Sequence, residues 1–121
     1  MVDKVIKLSR KYAAHDKIFD RIILREPKSR DYFEIGEPLE LHRAPDGSDG
    51  RYLVEHLDRI EAYAARLPKE PTAEALVDLD LVDAMALKEA ITGFFIEART
   101  LLNASTNSSG AQGSQSQKSE S

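Results

Sequence analysis

The chain has 121 residues, no cysteine, 41% apolar and 31% charged side chains, and a net charge of −4. These values fit one small soluble domain and exclude disulfides and thiolate metal sites. No apolar run approaches the roughly 20 residues of a spanning helix, and Met1-Val2-Asp3-Lys4 lacks the apolar stretch of a signal peptide, so neither a membrane nor export is expected and the cytoplasm is the expected location. Residues 1–51 hold 11 Lys/Arg against 10 Asp/Glu, and residues 52–102 hold 5 against 10. The second half is therefore the acidic one, which argues against nucleic acid as its partner and for a basic or apolar protein surface.

The fold class read from the pattern is α+β, a two-stranded antiparallel hairpin packed on a small bundle of three to four helices. Lys4 to Leu8 and Lys17 to Arg25 are the β-prone runs, with polar Ser9 to Asp16 as the connection, although no Asn-Gly or Asp-Gly fixes the turn. Pro27 then ends the strand, because it has no N–H for a ladder but suits a first helical turn. A short helix follows over Lys28 to Ile35 and stops at Gly36. Residues 36–50 read as a loop, being crowded with Gly36, Pro38, Pro45, Asp46-Gly47 and Asp49-Gly50.

From Arg51 to Leu67 the apolar residues Leu53, Leu57, Ile60, Ala64 and Leu67 recur at helical spacing, and Pro68 and Pro71 close that helix. Thr72 starts a short helical turn that reaches Leu76 or Val77, and Asp78 or Asp80 caps a long helix over residues 80–102. Its core stripe is Ala84, Leu87, Ile91, Phe94, Phe95, Ala98 and Leu102. Met85 and Ile96 lie on the outer side with Glu89 and Thr92, either as singly exposed residues or as a second contact face for a partner helix. Gly93 is either a tolerated surface glycine or a place where another backbone packs closely. Residues 103–121 are rich in Ser and Gln and have no apolar side chain larger than Ala, so residues 1–102 form the expected domain and the remainder a disordered tail.

No reactive constellation stands out. His15, His42 and His56 are far apart in sequence and match no metal-ligand spacing, and there is no phosphate loop, Gly-x-Ser-x-Gly or thiol nucleophile. An enzyme is therefore not expected, and no catalytic residue, cofactor or metal is assigned. The charged knot Arg25-Glu26-Pro27-x-x-Arg30-Asp31 has two readings. Either an Arg pairs locally with Glu26 or Asp31 and fixes the strand-to-helix corner, or Arg25 and Arg30 present their forks to a carboxylate on a partner.

The knot also carries a resemblance. Leu24-Arg25-Glu26-Pro27-x-x-Arg30-Asp31, followed by Gly36, then Leu67-Pro68 and the stretch from Leu79-Asp80-Leu81-Val82-Asp83 to Gly93-Phe94-Phe95, resembles the phage tail assembly chaperone family of Mu-like contractile-tailed phages and related prophages. The likeness covers most of residues 4–102, with the first motif the more specific. It implies a cytoplasmic protein of virion morphogenesis that keeps the helical tape measure protein soluble until tail tube protein polymerises around it, and that is absent from the mature virion. It further implies a docking groove for an amphipathic helix, for which Tyr32, Phe33, Tyr63, Met85 and Ile96 are candidate residues beside Arg25 and Arg30. Family members are often made in two lengths by frameshifting. Self-association as a homo-oligomer is expected from an exposed hairpin edge. The competing expectations are a structural subunit retained in the particle and a small regulatory binding protein.

Overall fold

The computed structural model describes residues 2–110, with side chains to residue 105. The architecture is α+β. Strands β1 (Lys4–Ala14) and β2 (Lys17–Leu24) form an antiparallel hairpin, and short β5 (Pro68–Glu70) adds to the free edge of β2. Helices α1 (Ser29–Ile35), α2 (Leu57–Arg66) and α3 (Leu81–Gly110) and a 3-10 turn at Ala73–Leu76 complete the body, with a separate hairpin of β3 (Leu39–Arg43) and β4 (Arg51–Glu55).

The first hairpin is longer than the apolar pattern predicts. The expected Ser9 to Asp16 connection is in fact mostly strand, and the turn is only His15-Asp16, both at positive φ (52° and 64°). Two left-handed residues match the twist of the flanking strands, and His and Asp are among the non-glycine residues that enter that region most readily. Between the pairs Lys7–Arg21 and Tyr12–Phe19 the register slips, so that residues 8–11 stand against Asp20 alone. Ile6, Leu8 and Tyr12 face the core by plain alternation, against Ile22 and Leu24 of β2, and the bulge brings Phe19 round to stack on Tyr12 on that same side.

The bulge is also where the two ends of the domain meet. Asp83, in the first turn of α3, accepts bonds from the Ser9 N–H (2.8 Å), the Ser9 hydroxyl (2.7 Å) and the Tyr12 hydroxyl. Beside it Arg10 forks onto Asp80 (2.7 and 3.2 Å) and lies over the Tyr12 ring. Asp83 thus occupies the buried stripe of α3, one turn before Leu87 and two before Ile91. The predicted stripe members Ala84 and Leu102 are instead exposed.

Two further expectations fail for identifiable reasons. Residues 36–50 are not all loop, and the second helix does not begin at Arg51. Leu39-Glu40-Leu41-His42-Arg43 pairs in register with Arg51-Tyr52-Leu53-Val54-Glu55. Leu39-Glu40-Leu41-His42 alternates with a period of two, but Tyr52-Leu53-Val54 is a continuous apolar run, and the turn-formers between the two segments mask the pairing. Leu53 is consequently an exposed strand residue, and α2 offers Ile60 and Tyr63 to the core. At the other end α3 continues to Gly110, past the expected boundary at residue 102. The rest of the expected tail, residues 111–121, lies outside the described residues.

Gly93 has a local explanation. A Cβ there would stand 2.7 Å from the Lys4 ammonium, which lies 4.5 Å from the centre of the Phe94 ring and 3.3 Å from Glu97. Gly93 makes room for a lysine, with no second backbone involved. No helix among the described residues is long and apolar enough to cross a membrane.

Candidate functional site

The charged knot is built inward. Pro27 ends the β2 corner, and Asp31 sits on the buried side of α1, only 3% exposed. Its carboxylate accepts two bonds from the Arg25 guanidinium (2.8 and 3.0 Å), one from the Lys28 N–H (2.8 Å) and a longer one from Arg66 (3.4 Å). The Arg25 fork, with the Lys28 N–H and Arg66, holds the Asp31 carboxyl far below the usual carboxylate range despite burial. Arg25 is therefore committed to a fork–fork pair within the domain. Arg30 is exposed and enters no ion pair among the described residues.

The open surface lies beside the C-terminal half of α3. Phe95 and Arg99 form a ridge with a groove on either side. One groove, about 680 Å³, runs between α3 and the second hairpin and is lined by Leu39, Leu41, Leu53, Phe95 and Ile96. The other, about 350 Å³, runs between α3 and the start of α1, past Pro27, Tyr32, Phe94, Ala98 and Leu102. A polar bridge joins the ridge to its banks, because Glu37 takes a bond from the Tyr32 hydroxyl (2.6 Å) and an ion pair from Arg99 (3.3 Å). The bond to Glu37 raises the Tyr32 hydroxyl pKa.

The rim carries both charges. Glu40 accepts from His42 (2.9 Å), stands 3.3 Å from His56 and 3.5 Å from Arg59, and its carboxyl is lowered chiefly by the His42 bond. The groups of His, Asp and Glu among the described residues do not assemble a metal site.

The sequence candidates thus separate. Ile96 lines the groove beside the second hairpin and Tyr32 the one beside α1, the two grooves making a trough divided by the ridge, and Phe33, 82% exposed, packs edge-on against Tyr32 at 5.5 Å. Met85 is exposed on α3 near its start and lines neither groove. Tyr63 is not a surface residue. Its ring is fully buried against Phe95 at 4.8 Å and its hydroxyl donates to the Gly36 carbonyl (2.9 Å), while burial pushes its pKa up to about 12. The core needs a large ring there, so the tyrosine is unavailable to a partner. Leu41 and Leu53, 59% exposed each, belong to the site and were concealed by the missed hairpin.

No model of a known family, no curated protein and no solved structure matches the chain.

Proposed function

We propose that the protein is an assembly chaperone that holds an amphipathic client helix in the trough along α3, in the manner of the phage tail assembly chaperones it resembles. The observation that carries this reading is the trough itself. Two apolar grooves lie side by side on one helix, rimmed by Lys28, Glu40 and Arg43, with Glu37 and Arg99 paired on the ridge between them. Exposed apolar surface gathered this way and rimmed by charge marks an interaction site. An α-helix about 10–12 Å across, with an apolar stripe and charged flanks of both signs, has the matching chemistry.

On this reading the client is the tape measure protein, the chaperone works in the host cytoplasm, and it leaves before the virion is complete. The test is co-expression of the full chain with the tape measure protein from the same locus, followed by a solubility assay and pull-down. Client should be soluble only in the complex, and Leu53→Asp with Ile96→Asp should abolish capture while leaving the circular dichroism spectrum unchanged. Client that stays insoluble, together with this protein appearing at fixed stoichiometry in purified tails, would instead make it a structural subunit.

A further inference from the structure

Two surfaces outside the trough complement each other. The first is the outer face of the sheet. Side chains alternate along a strand, so the face opposite Ile6 and Ile22 carries the directly opposed pairs Val5–Ile23 and Lys7–Arg21. Like charges placed opposite one another are unfavourable. Yet Lys7 and Arg21 are both exposed, and neither enters an ion pair among the described residues. Beside them a cleft of about 590 Å³ between β2 and the 3-10 turn is lined by Lys17, Arg21, Ile23 and Lys69, with Asp20 and Glu70 on its wall. Lys69 is engaged by Asp3 at 2.9 Å, whereas Lys17 has no ion-pair partner among the described residues.

The second surface is the shoulder where the 3-10 turn passes into α3. Val77, Leu81, Val82 and Met85 are 78%, 76%, 62% and 53% exposed, and helical spacing puts Leu81, Val82 and Met85 on one side of α3. The nearby carboxylates of Glu74, Asp78 and Glu89 are exposed and without ion-pair partners among the described residues. Among the described residues no such uncompensated lysine or arginine lies on the shoulder. One face thus carries an excess of cations beside its apolar residues, Lys7, Lys17 and Arg21 against Asp20 and Glu70, and the other is apolar and acidic.

We propose that these faces bind each other between copies, the sheet face of one molecule receiving the α3 shoulder of a second. Apolar contact between Val5 and Ile23 on one side and Leu81, Val82 and Met85 on the other supplies the adhesion. Lys7 and Arg21 meeting Asp78 and Glu89 fix the orientation and relieve the like-charge pair. The trough is used by neither face, so this association is separate from client capture.

Sedimentation of the full chain over a concentration series tests it. The wild type should self-associate reversibly, and less so as salt is raised to about 1 M, where the screening length falls to about 3 Å. Lys7→Glu with Arg21→Glu, and separately Asp78→Lys with Glu89→Lys, should each weaken association at least about tenfold. An equimolar mixture of the two variants should associate again, because each then supplies the charge the other needs at both faces. A monomeric wild type, variants that associate like the wild type, or a mixture that stays monomeric would each overturn the proposal. Since none of the four residues has an ion pair to lose among the described residues, unchanged thermal unfolding of the variants is the accompanying control.

Discussion

Replacing Asp31 with Asn tests whether the charged knot is a structural fastening. The change keeps the shape and one acceptor for the Lys28 N–H but removes the charge from the Arg25 fork. A hydrogen bond to a charged group contributes about 1.5–3 kcal/mol. The Arg25 side chain is 35% exposed, so solvent screening sets the low end for each of its two bonds. The expected loss is about 3 kcal/mol, which in a domain of this size lowers Tm by about 12–24 °C. Urea and thermal unfolding measure it, and a cycle with Arg25→Met should return a coupling of about 1–2 kcal/mol. The pH dependence has a definite sign. Because the folded-state pKa of Asp31 is depressed, its contribution is fully present above the unfolded value near 3.9 and is lost as pH falls toward the folded value. The gap between wild type and variant should therefore narrow on acidification below about pH 4. A loss under about 1 kcal/mol with no coupling would refute the fastening, and so would a gap that widens in acid.

Phe94→Ala, at a side chain 1% exposed in the middle of the core, should cost about 3–5 kcal/mol by urea unfolding. Tyr63→Phe should cost about 1–2 kcal/mol by leaving the Gly36 carbonyl without its donor, and should leave client capture unchanged in the pull-down. Gly93→Ala should change stability little in the wild type, because the gain in helix propensity is offset by displacing Lys4; in a Lys4→Met background it should stabilise by about 1 kcal/mol, measured as the shift in urea midpoint. Replacing His15-Asp16 by Asn-Gly should raise Tm by a few degrees, since the backbone there already requires two left-handed residues.

The first hairpin, the helix after Pro27 and the long last helix are legible in the sequence because each has a periodic apolar face and a chemical stop. Tyr32 and Ile96, which line the grooves, were nominated by the resemblance, and Ile96 also by its place on the outer side of the last helix. The second hairpin was not legible, because turn-formers crowd the space between the short alternation Leu39-Glu40-Leu41 and the unbroken run Tyr52-Leu53-Val54, and only pairing in space makes these segments strands. Asp83 was hidden for a different reason. A carboxylate at the start of a helix reads as a capping charge, and its burial becomes intelligible only when the bulge of β1 brings Ser9 and Tyr12 to it. Tyr63 shares a helical face with the buried Ile60 and Leu67, so the spacing places it in the core, and only the resemblance offered it as a groove residue. The knot at Arg25 had two readings, and the position of Asp31 on the buried side of α1 favours the internal one.

The bolt between Ser9 and Asp83 spans 74 positions of chain, and that separation has a meaning in time. At about 5–20 residues per second, synthesis reaches Asp83 roughly 4–15 s after Ser9. Through that interval the nascent hairpin has Ile6, Leu8, Ile22 and Leu24 without α3 to cover them. The lysines and arginines spaced along β1 at positions 4, 7, 10 and 11 then act as guards, since charged edge residues discourage one unfinished strand from pairing with another. Once α3 arrives, Arg10 is taken up by Asp80 and Lys4 by Glu97. Two of the charges that protect the growing chain thus become fastenings of the finished one.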